Sequence, residues 1–331
     1  MLARVSSAPT NAPVPDFFQM TKDSGADPAA ELLQGLEQPA ASIPPWYFYD
    51  TVGSRLFDVI TALPDYYPTR TEAALLAEHA RALVAARDVT GCAMIDLGAG
   101  ACDKAPRLFA HVRPRQYVPV DISTDYLRGA VVRLQSEHPE VHMVGVGTDF
   151  SRALTLPEIV DAAPRLFFYP GSSIGNFEPR AARDFLQRIR AQMSADDTLW
   201  IGVDLVKDPG VLERAYDDVL GVTAAFNRNI LQNVNRIVGA DFAPATWRHV
   251  SHYDESEQRI EMHLEATIDT TVRWEGGERR FAVGERIHTE NSYKYTVSSF
   301  RQLLEGAGLR EVGVWTDERD WFAFFAAAPA A

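Results

Sequence analysis

The chain has 331 residues, and at about 150 residues per domain this length predicts roughly two domains. Hydrophobic residues make up 46% of the sequence, which excludes a wholly disordered chain. With 32 Lys and Arg against 45 Asp and Glu, the net charge is −13. Because so acidic a surface repels phosphate backbones, we expect a small molecule rather than a nucleic acid as the partner.

Cysteine content and hydropathy point to the cytoplasm. Two cysteines, Cys92 and Cys102, do not make a secreted disulfide framework, and we expect both thiols to be reduced. No run of about 18 apolar residues is present, so no membrane span is predicted. Residues 1–15 contain no apolar signal core and are expected to be a disordered tail. A monomer is the default expectation.

The predicted elements begin with three helices, at residues 28–38, 46–62 and 71–86. Strands then alternate with helices or Gly-rich loops, and five short apolar strands are predicted, at 93–97, 117–120, 141–146, 166–169 and 199–206. This alternation predicts an α/β domain whose Rossmann-like parallel sheet is covered on both faces. The same domain would end with a helix near Val297 and a hairpin that supplies an antiparallel last strand.

About 90 residues separate the fifth strand from that helix, and a simple crossover rarely needs so many. We therefore predict an inserted second domain. It would be an α+β substrate-binding domain made of residues 16–69 and 207–295, and the nucleotide-type domain would comprise residues 70–206 and 296–331.

The first motif, Asp96-Leu97-Gly98-Ala99-Gly100, follows a predicted strand, and its glycines let the backbone approach a ligand closely. A dinucleotide fingerprint needs a small residue where Asp103 stands, and Asp103 would repel a pyrophosphate. The motif is similar to that of class I S-adenosylmethionine methyltransferases, in which Asp121 would bind the ribose and Asp149-Phe150 would lie near the adenine. Lys104 is open to two readings, a contact to the methionine carboxylate or a solvated helix lysine.

A second set of polar residues lies in the inserted region. The strand near residues 286–295 places Glu290, Ser292 and Lys294 on one face, which could bind a small polar ring or simply face solvent. Tyr216 lies on the apolar face of a predicted helix that also carries Val219, where a core role is the alternative.

Two further polar features have competing explanations. Asn176 follows the fourth strand, at the edge where ligands bind such sheets, but a loop asparagine is also a common turn former. His249 and His252 have the spacing of a ligand pair, yet no third ligand follows closely in the sequence, so no metal is predicted.

Longer motifs carry a resemblance to one family. They are Phe48-Tyr49-Asp50, Leu63-Pro64-Asp65-Tyr66-Tyr67-Pro68-Thr69-Arg70-Thr71-Glu72, Gly171-Ser172-Ser173-Ile174-Gly175-Asn176, Asp204-Leu205-Val206-Lys207-Asp208 and Arg259-Ile260-Glu261-Met262. From about Pro44 to Phe325 the chain resembles the histidine-specific methyltransferases of ergothioneine biosynthesis. The resemblance implies a class I methyltransferase domain with a substrate-binding domain, and Nα-trimethylation of L-histidine to hercynine through mono- and dimethylhistidine.

The same resemblance implies roles for individual residues. Tyr66, Asn176 and Tyr216 would hold the α-amino and carboxylate groups, and Glu290 and Ser292 the imidazole, with Met262 lining the same pocket. The implied contacts to S-adenosylmethionine are Tyr49, Gly98, Lys104, Asp121, Asp149, Phe150 and Gly171. Tyr49 and Tyr66 would lie near the methyl path and are the candidate catalytic residues. The alternatives are a methyltransferase for another aromatic amino acid or small amine, and a catalytically silent binding protein.

Overall fold

The structure is a computed structural model that describes residues 14–20, 27–162 and 164–330. Apart from Val14 and Pro15, the expected disordered tail lies outside the described residues. Within these ranges, none of the helices combines the length and the apolar character that crossing a bilayer requires.

Fourteen strands are present in the described ranges, and they form three sheets. The strands are β1 (Asp16–Gln19), β2 (Ala41–Ser42), β3 (Ala93–Leu97), β4 (Gln116–Asp121), β5 (His142–Gly147), β6 (Arg165–Tyr169), β7 (Thr198–Asp204), β8 (Trp247–Asp254), β9 (Arg259–Ala266), β10 (Thr270–Trp274), β11 (Gly277–Phe281), β12 (Arg286–Tyr293), β13 (Leu309–Thr316) and β14 (Phe322–Pro329).

The described residues also form nine α-helices, with short 3-10 turns between some of them. The helices are α1 (Pro28–Glu37), α2 (Thr51–Ala62), α3 (Tyr67–Ala86), α4 (Phe109–Val112), α5 (Thr124–Glu137), α6 (Pro179–Gln192), α7 (Pro209–Tyr216), α8 (Val222–Val238) and α9 (Val297–Gly306).

The largest sheet has eight strands in the order β1-β5-β4-β3-β6-β7-β14-β13. All neighbours from β1 to β7 pair in parallel, whereas β14 runs antiparallel to β7 and β13 antiparallel to β14. The predicted α/β fold with an antiparallel last strand is therefore confirmed.

Side-chain alternation explains why this sheet is buried on both faces. Successive residues of a strand point to opposite faces. Accordingly, Ile95 and Phe167 contribute to the apolar cluster on one face, and Met94 and Phe168 to the cluster on the other. Since both faces are covered by helices, β3 and β7 are buried along their whole length and appear in the sequence as continuous apolar runs.

The strand at one edge of the large sheet comes from a segment that was predicted to belong to the other domain. Residues 16–69 were expected in the substrate-binding domain, but Asp16–Gln19 pairs in parallel with β5 of the large sheet. The Phe17 ring packs so closely over Gly145 that a Cβ on Gly145 would approach it to 2.6 Å. The boundary at residue 16 is therefore wrong, because this short segment completes the sheet edge.

A second sheet has the order β2-β12-β9-β8, and the hairpin of β10 and β11 forms a third. Along β9, Ile260, Met262 and Leu264 are buried and the intervening residues are partly exposed, so one face points inward. Helix α8 covers this face, and the apolar cluster there draws on residues from Leu32 to Tyr67 and from Leu212 to Ile287.

The segments that leave and re-enter the large sheet run side by side. Leu205 forms a parallel bridge with Tyr295. The Tyr295 amide donates to the Asp204 carbonyl at 3.1 Å, and the Val206 amide donates to the Tyr295 carbonyl at 2.9 Å. The end of β12 is therefore fixed beside the carboxyl end of β7.

Two helix boundaries differ from the sequence predictions. Helix α3 begins at Tyr67, one turn earlier than expected, because Pro68 occupies the first turn, where a missing N–H costs nothing. Helix α7 ends at Tyr216, and Val219 is 91% exposed. The expected apolar pairing of Tyr216 with Val219 is therefore wrong.

Candidate active site

A cavity lies where the large sheet meets the second sheet. Its lining comes from both parts of the fold: Tyr49, Phe57, Tyr66, Pro68, Gly171, Ser172, Ser173, Asn176, Asp204, Tyr216, Glu290, Ser292 and Lys294.

Glu290 lines the cavity. A bulge between His288 and Glu290 interrupts the β12–β9 register, and both Thr289 and Glu290 are buried. Among the described residues, none donates a hydrogen bond to the Glu290 carboxyl. Burial raises its pKa to about 7, although the nearby charge of Lys294 acts in the opposite direction. The carboxyl is thus free to pair with a donor on a ligand.

Ser292 lies two residues further along β12 and is held by two neighbours. Its Oγ is 2.7 Å from the Tyr216 hydroxyl and accepts a hydrogen bond from Lys294 Nζ, also at 2.7 Å. Because an ammonium group only donates, the Ser292 hydroxyl hydrogen remains available for Tyr216 or for a ligand. Lys294 was seen in the sequence only as a neighbour on the same strand face.

Asp204, at the end of β7, anchors this wall of the cavity. Its carboxylate accepts from Tyr67 Oη at 2.7 and 2.8 Å, and it lies 2.6 Å from Lys207 Nζ and 3.0 Å from Lys294 Nζ. Burial alone would raise the pKa of Asp204, but the two ammonium groups lower it overall. The carboxylate therefore stays ionised and fixes Lys294.

The aromatic candidates also line the cavity. Tyr66 immediately precedes α3, and its ring centre is 6.2 Å from that of Tyr216. Tyr49 ends a 3-10 turn and packs edge-on against Phe57 at 5.7 Å. Burial raises the pKa of both Tyr66 and Tyr216, so these phenols remain protonated donors at neutral pH.

Two other predicted site residues occupy different positions relative to the cavity. Asn176 ends the 3-10 turn Ser173–Asn176 and is part of the wall, as the loop position suggested. Met262 is 2% exposed and is not among the lining residues. It stands opposite Glu290 in the sheet register, so it supports the wall from within the core rather than forming its surface.

The carboxyl ends of β3 and β4 bring the predicted cofactor residues together. Gly98 and Gly100 adopt positive φ angles of 71° and 52°, which favour glycine. The Asp121 carboxylate accepts from the Gly100 amide at 2.9 Å and from the Ser123 amide at 2.8 Å. A Cβ on Gly100 would meet no atom within 4 Å, which leaves open space beside this carboxylate.

Asp149 and Phe150 follow β5 at the same edge. The Phe150 ring lies 3.5 Å from the position of a Cβ on Gly98 and 6.1 Å, centre to centre, from the Tyr169 ring. The Asp149 carboxylate accepts from the Ser151 amide at 3.1 Å and pairs with Arg152. The edge thus offers an apolar ring and an acidic acceptor next to each other.

Lys104 and Gly171 are joined by a residue that the sequence did not single out. Glu72 is buried in α3, and its Oε2 accepts from Lys104 Nζ at 2.7 Å, while its Oε1 accepts from the Gly171 amide. A Cβ on Gly171 would come within 2.9 Å of Lys104 Nζ. The alternative that Lys104 is simply a solvated lysine is therefore not supported. Only the sequence motif ending in Glu72 could have indicated this link.

The histidine pair considered as metal ligands does not converge. His249 points inward, where its ring contacts Asn227 Nδ2 at 2.8 Å and the Tyr216 carbonyl at 2.9 Å. His252, three residues along β8, lies on the opposite face of that strand, beside Glu261.

Comparisons with known proteins fit this arrangement. A family model described as a histidine-specific, S-adenosylmethionine-dependent methyltransferase matches residues 28–329. The chain belongs to this family. It is an S-adenosylmethionine-dependent N-methyltransferase.

Curated members of the family are similar over most of the chain. The histidine N-alpha-methyltransferase of Mycolicibacterium smegmatis is 40% identical over 303 residues, which cover 88% of this chain and 93% of that protein. Its counterpart from Mycobacterium tuberculosis is 40% identical over 311 residues, or 90% and 94%. Ergothioneine biosynthesis protein 1 of Neurospora crassa is 29% identical over 96% of this chain, but the match spans 36% of that longer protein.

The methyltransferase offers a donor and acceptor set that fits S-adenosylmethionine. The open space at Gly100 adjoins Asp121, whose lone pairs can accept from two vicinal hydroxyls, and Phe150 supplies an apolar ring. Lys104 is the cation nearest Gly171. These groups match the ribose, adenine and carboxylate of the molecule in chemical type.

We predict that Asp121→Ala abolishes detectable S-adenosylmethionine binding in calorimetry. Two hydrogen bonds to a carboxylate contribute about 3–6 kcal/mol, which corresponds to more than a hundredfold in affinity. Asp125→Ala, an exposed aspartate in the first turn of α5, is the matched control and should retain wild-type affinity. Equal affinity of both variants would refute the role of Asp121.

We predict that the stability difference between the Glu290→Gln variant and the wild type changes with pH. As the pH rises, the free energy of unfolding of the variant should increase relative to that of the wild type. The pKa of Glu290 is about 7 in the folded chain, above the value of about 4.3 for an unfolded glutamate. At pH values between these two pKa values, the folded wild type binds more protons than the unfolded chain, so its free energy of unfolding falls as the pH rises. The glutamine in the variant does not titrate, so the variant does not lose this stability. Urea unfolding from about pH 5 to about pH 8 should show a widening difference that levels off above about pH 7. A difference that stays constant with pH would contradict the prediction.

Proposed function

We propose that this enzyme transfers methyl groups from S-adenosylmethionine to the α-nitrogen of L-histidine, up to three times, to give hercynine, the first step of ergothioneine biosynthesis. The observation that carries the proposal is that Glu290 and Ser292 both line a cavity that also reaches Gly171. Glu290 and Ser292 suit the ring of the substrate. Gly171 adjoins the edge of the large sheet where S-adenosylmethionine is proposed to bind.

Recognition of the imidazole follows from complementary hydrogen bonding. The ionised Glu290 carboxyl accepts from the N–H of a neutral imidazole ring, and the Ser292 hydroxyl donates to the other ring nitrogen. Lys294 keeps Ser292 in the donor role because its ammonium already occupies a lone pair of Oγ. A ring without this pair of nitrogens would leave buried polar groups unpaired.

The other end of the amino acid would lie among neutral donors. Tyr66, Tyr216 and Asn176 line the same cavity and offer phenol and amide groups to the α-carboxylate and α-amine. Because the two phenols remain protonated, they bind the carboxylate without adding charge near the reacting nitrogen.

S-adenosylmethionine, when bound, supplies an electrophilic methyl group. The α-amine must be neutral to attack, so the ammonium form has to lose a proton, which we assign to water reaching the cavity. Positive charge then develops on the nitrogen, and the rings of Tyr49 and Tyr66 can stabilise it through cation–π contact. Most of the rate enhancement would come from holding the amine in line with the methyl group.

The proposed binding sites for substrate and S-adenosylmethionine also divide the chain into two domains. We propose that residues 27–66 and 207–295 form the substrate-binding domain, since they supply Tyr216, Glu290 and Ser292. The remaining residues, including Asp16–Gln19, would form the methyltransferase domain. A cytoplasmic monomer acting on a small molecule remains our proposal for its setting.

The test of this function is mass spectrometry after incubation with S-adenosylmethionine and an equimolar mixture of the proteinogenic amino acids. Histidine alone should gain one, two and three methyl groups in succession. Methylation of another amino acid would leave the methyltransferase assignment intact but refute the imidazole pocket. Absence of any methylation, with S-adenosylmethionine bound, would favour the catalytically silent alternative.

We predict that Glu290→Ala lowers kcat/KM for histidine at least about tenfold and relaxes the preference toward larger aromatic amino acids, because the ring loses its buried partner and gains space. Glu265→Ala, on the outer face of neighbouring β9, is the matched control and should retain wild-type kinetics. Unchanged histidine kinetics in Glu290→Ala would remove Glu290 from this role.

A further inference from the structure

Three potential metal ligands converge on the outer face of the second sheet, away from the cavity. His252 on β8 stands directly opposite Glu261 on β9, and His263 follows two residues later on the same face of β9. One ligand atom from each side chain lies within 4.8 Å of the other two. Cross-strand register brings these residues together, so neither their spacing nor their order in the sequence indicates the cluster.

The distances are close to those of a tetrahedral site. Ligand atoms about 2.1 Å from a zinc ion lie about 3.4 Å from one another in this geometry. Here Glu261 Oε2 is 2.9 Å from His263 Nε2 and 3.6 Å from His252 Nε2. Small side-chain rotations would therefore allow all three atoms to reach one ion.

The ligand types also suit a cation. Imidazole nitrogens and a carboxylate oxygen are groups that bind divalent transition metals.

The surroundings orient the carboxylate. Arg259 donates to Glu261 Oε1 at 2.5 and 2.8 Å, which leaves Oε2 directed at the two histidines. The charge of Arg259 is itself offset by Glu178 at 3.5 Å. His288 is not counted as a ligand, because its Nε2 contacts the Asn291 side chain at 2.8 Å.

We propose that His252, Glu261 and His263 bind one divalent transition-metal ion of the Zn²⁺ type, with water in the fourth position. Two imidazoles with one carboxylate favour such an ion over Mg²⁺ or Ca²⁺, which prefer oxygen ligands. The site joins β8 to β9 on the face opposite Met262 and is separate from the methyl-transfer cavity. Its role is structural, and the proposal does not depend on the identity of the methylated substrate.

The test uses untagged, full-length protein that has been stripped with a chelator. Co²⁺ titration followed by visible absorption reports tetrahedral coordination, and calorimetry with Zn²⁺ gives affinity and stoichiometry. We expect one ion per chain and a Zn²⁺-dependent rise in the thermal unfolding midpoint, since an ion that binds only the folded state stabilises it. Absence of saturable binding at this stoichiometry would overturn the proposal.

Two variants and one control assign the ion to the cluster. His252→Gln and His263→Gln should each weaken Zn²⁺ binding at least tenfold and abolish the thermal shift. His142→Gln is the matched control, because His142 has the same 42% side-chain exposure as His252 and also contacts a carboxylate, that of Asp16. Wild-type affinity in both cluster variants, or an equal loss in the control, would overturn the assignment. The midpoint of each metal-free variant verifies that it folds.

Discussion

The buried Asp204 carboxylate links the two parts of the fold. It lies at the end of β7, where the chain leaves the large sheet, and it is bound by Tyr67 from α3, by Lys207 from the inserted segment and by Lys294 from the segment that returns. A buried charge without a partner destabilises the folded state. Removal of one member of this network would therefore leave the charges of the remaining members uncompensated in the interior. The relative position of the two sheets therefore depends on this network.

The substrate end of the cavity derives its polarity from the same network. Lys294 connects Asp204 to Ser292 and Tyr216, and Glu290 lies close enough to be influenced by its charge. Ser292 is thus held by an ion cluster at the junction of the two sheets, whereas Glu290 is influenced only by the charge of Lys294. Gly175 also allows the loop after β6 to approach the end of β12 closely, since a Cβ on this residue would come within 2.7 Å of the Tyr293 carbonyl oxygen.

Much of the large sheet could be predicted from the sequence, because its strands are buried on both faces and form continuous apolar runs. Asp16–Gln19 could not, since four residues carry little periodicity and their partner strand is distant in the chain. For the site, residue types left the roles of Glu290, Ser292 and Asn176 open, and only the resemblance to the family implied that they line the substrate pocket. The pattern alone could not decide whether Glu290 faced solvent, because a bulge sets its direction. The Glu72–Lys104 pair and the outer histidine cluster depend on contacts between segments that local patterns do not record.

The Glu72–Lys104 pair has a consequence for the turnover of the enzyme. It carries no net charge, and Asp149 is paired with Arg152, whereas within the described ranges the Asp121 carboxylate accepts only from backbone amides. Asp121 therefore leaves this part of the ligand edge of the large sheet negative. A sulfonium ion is attracted to such an edge, whereas the thioether that remains after methyl transfer has lost that positive charge. The electrostatic field at this edge therefore favours the charged methyl donor over the thioether product.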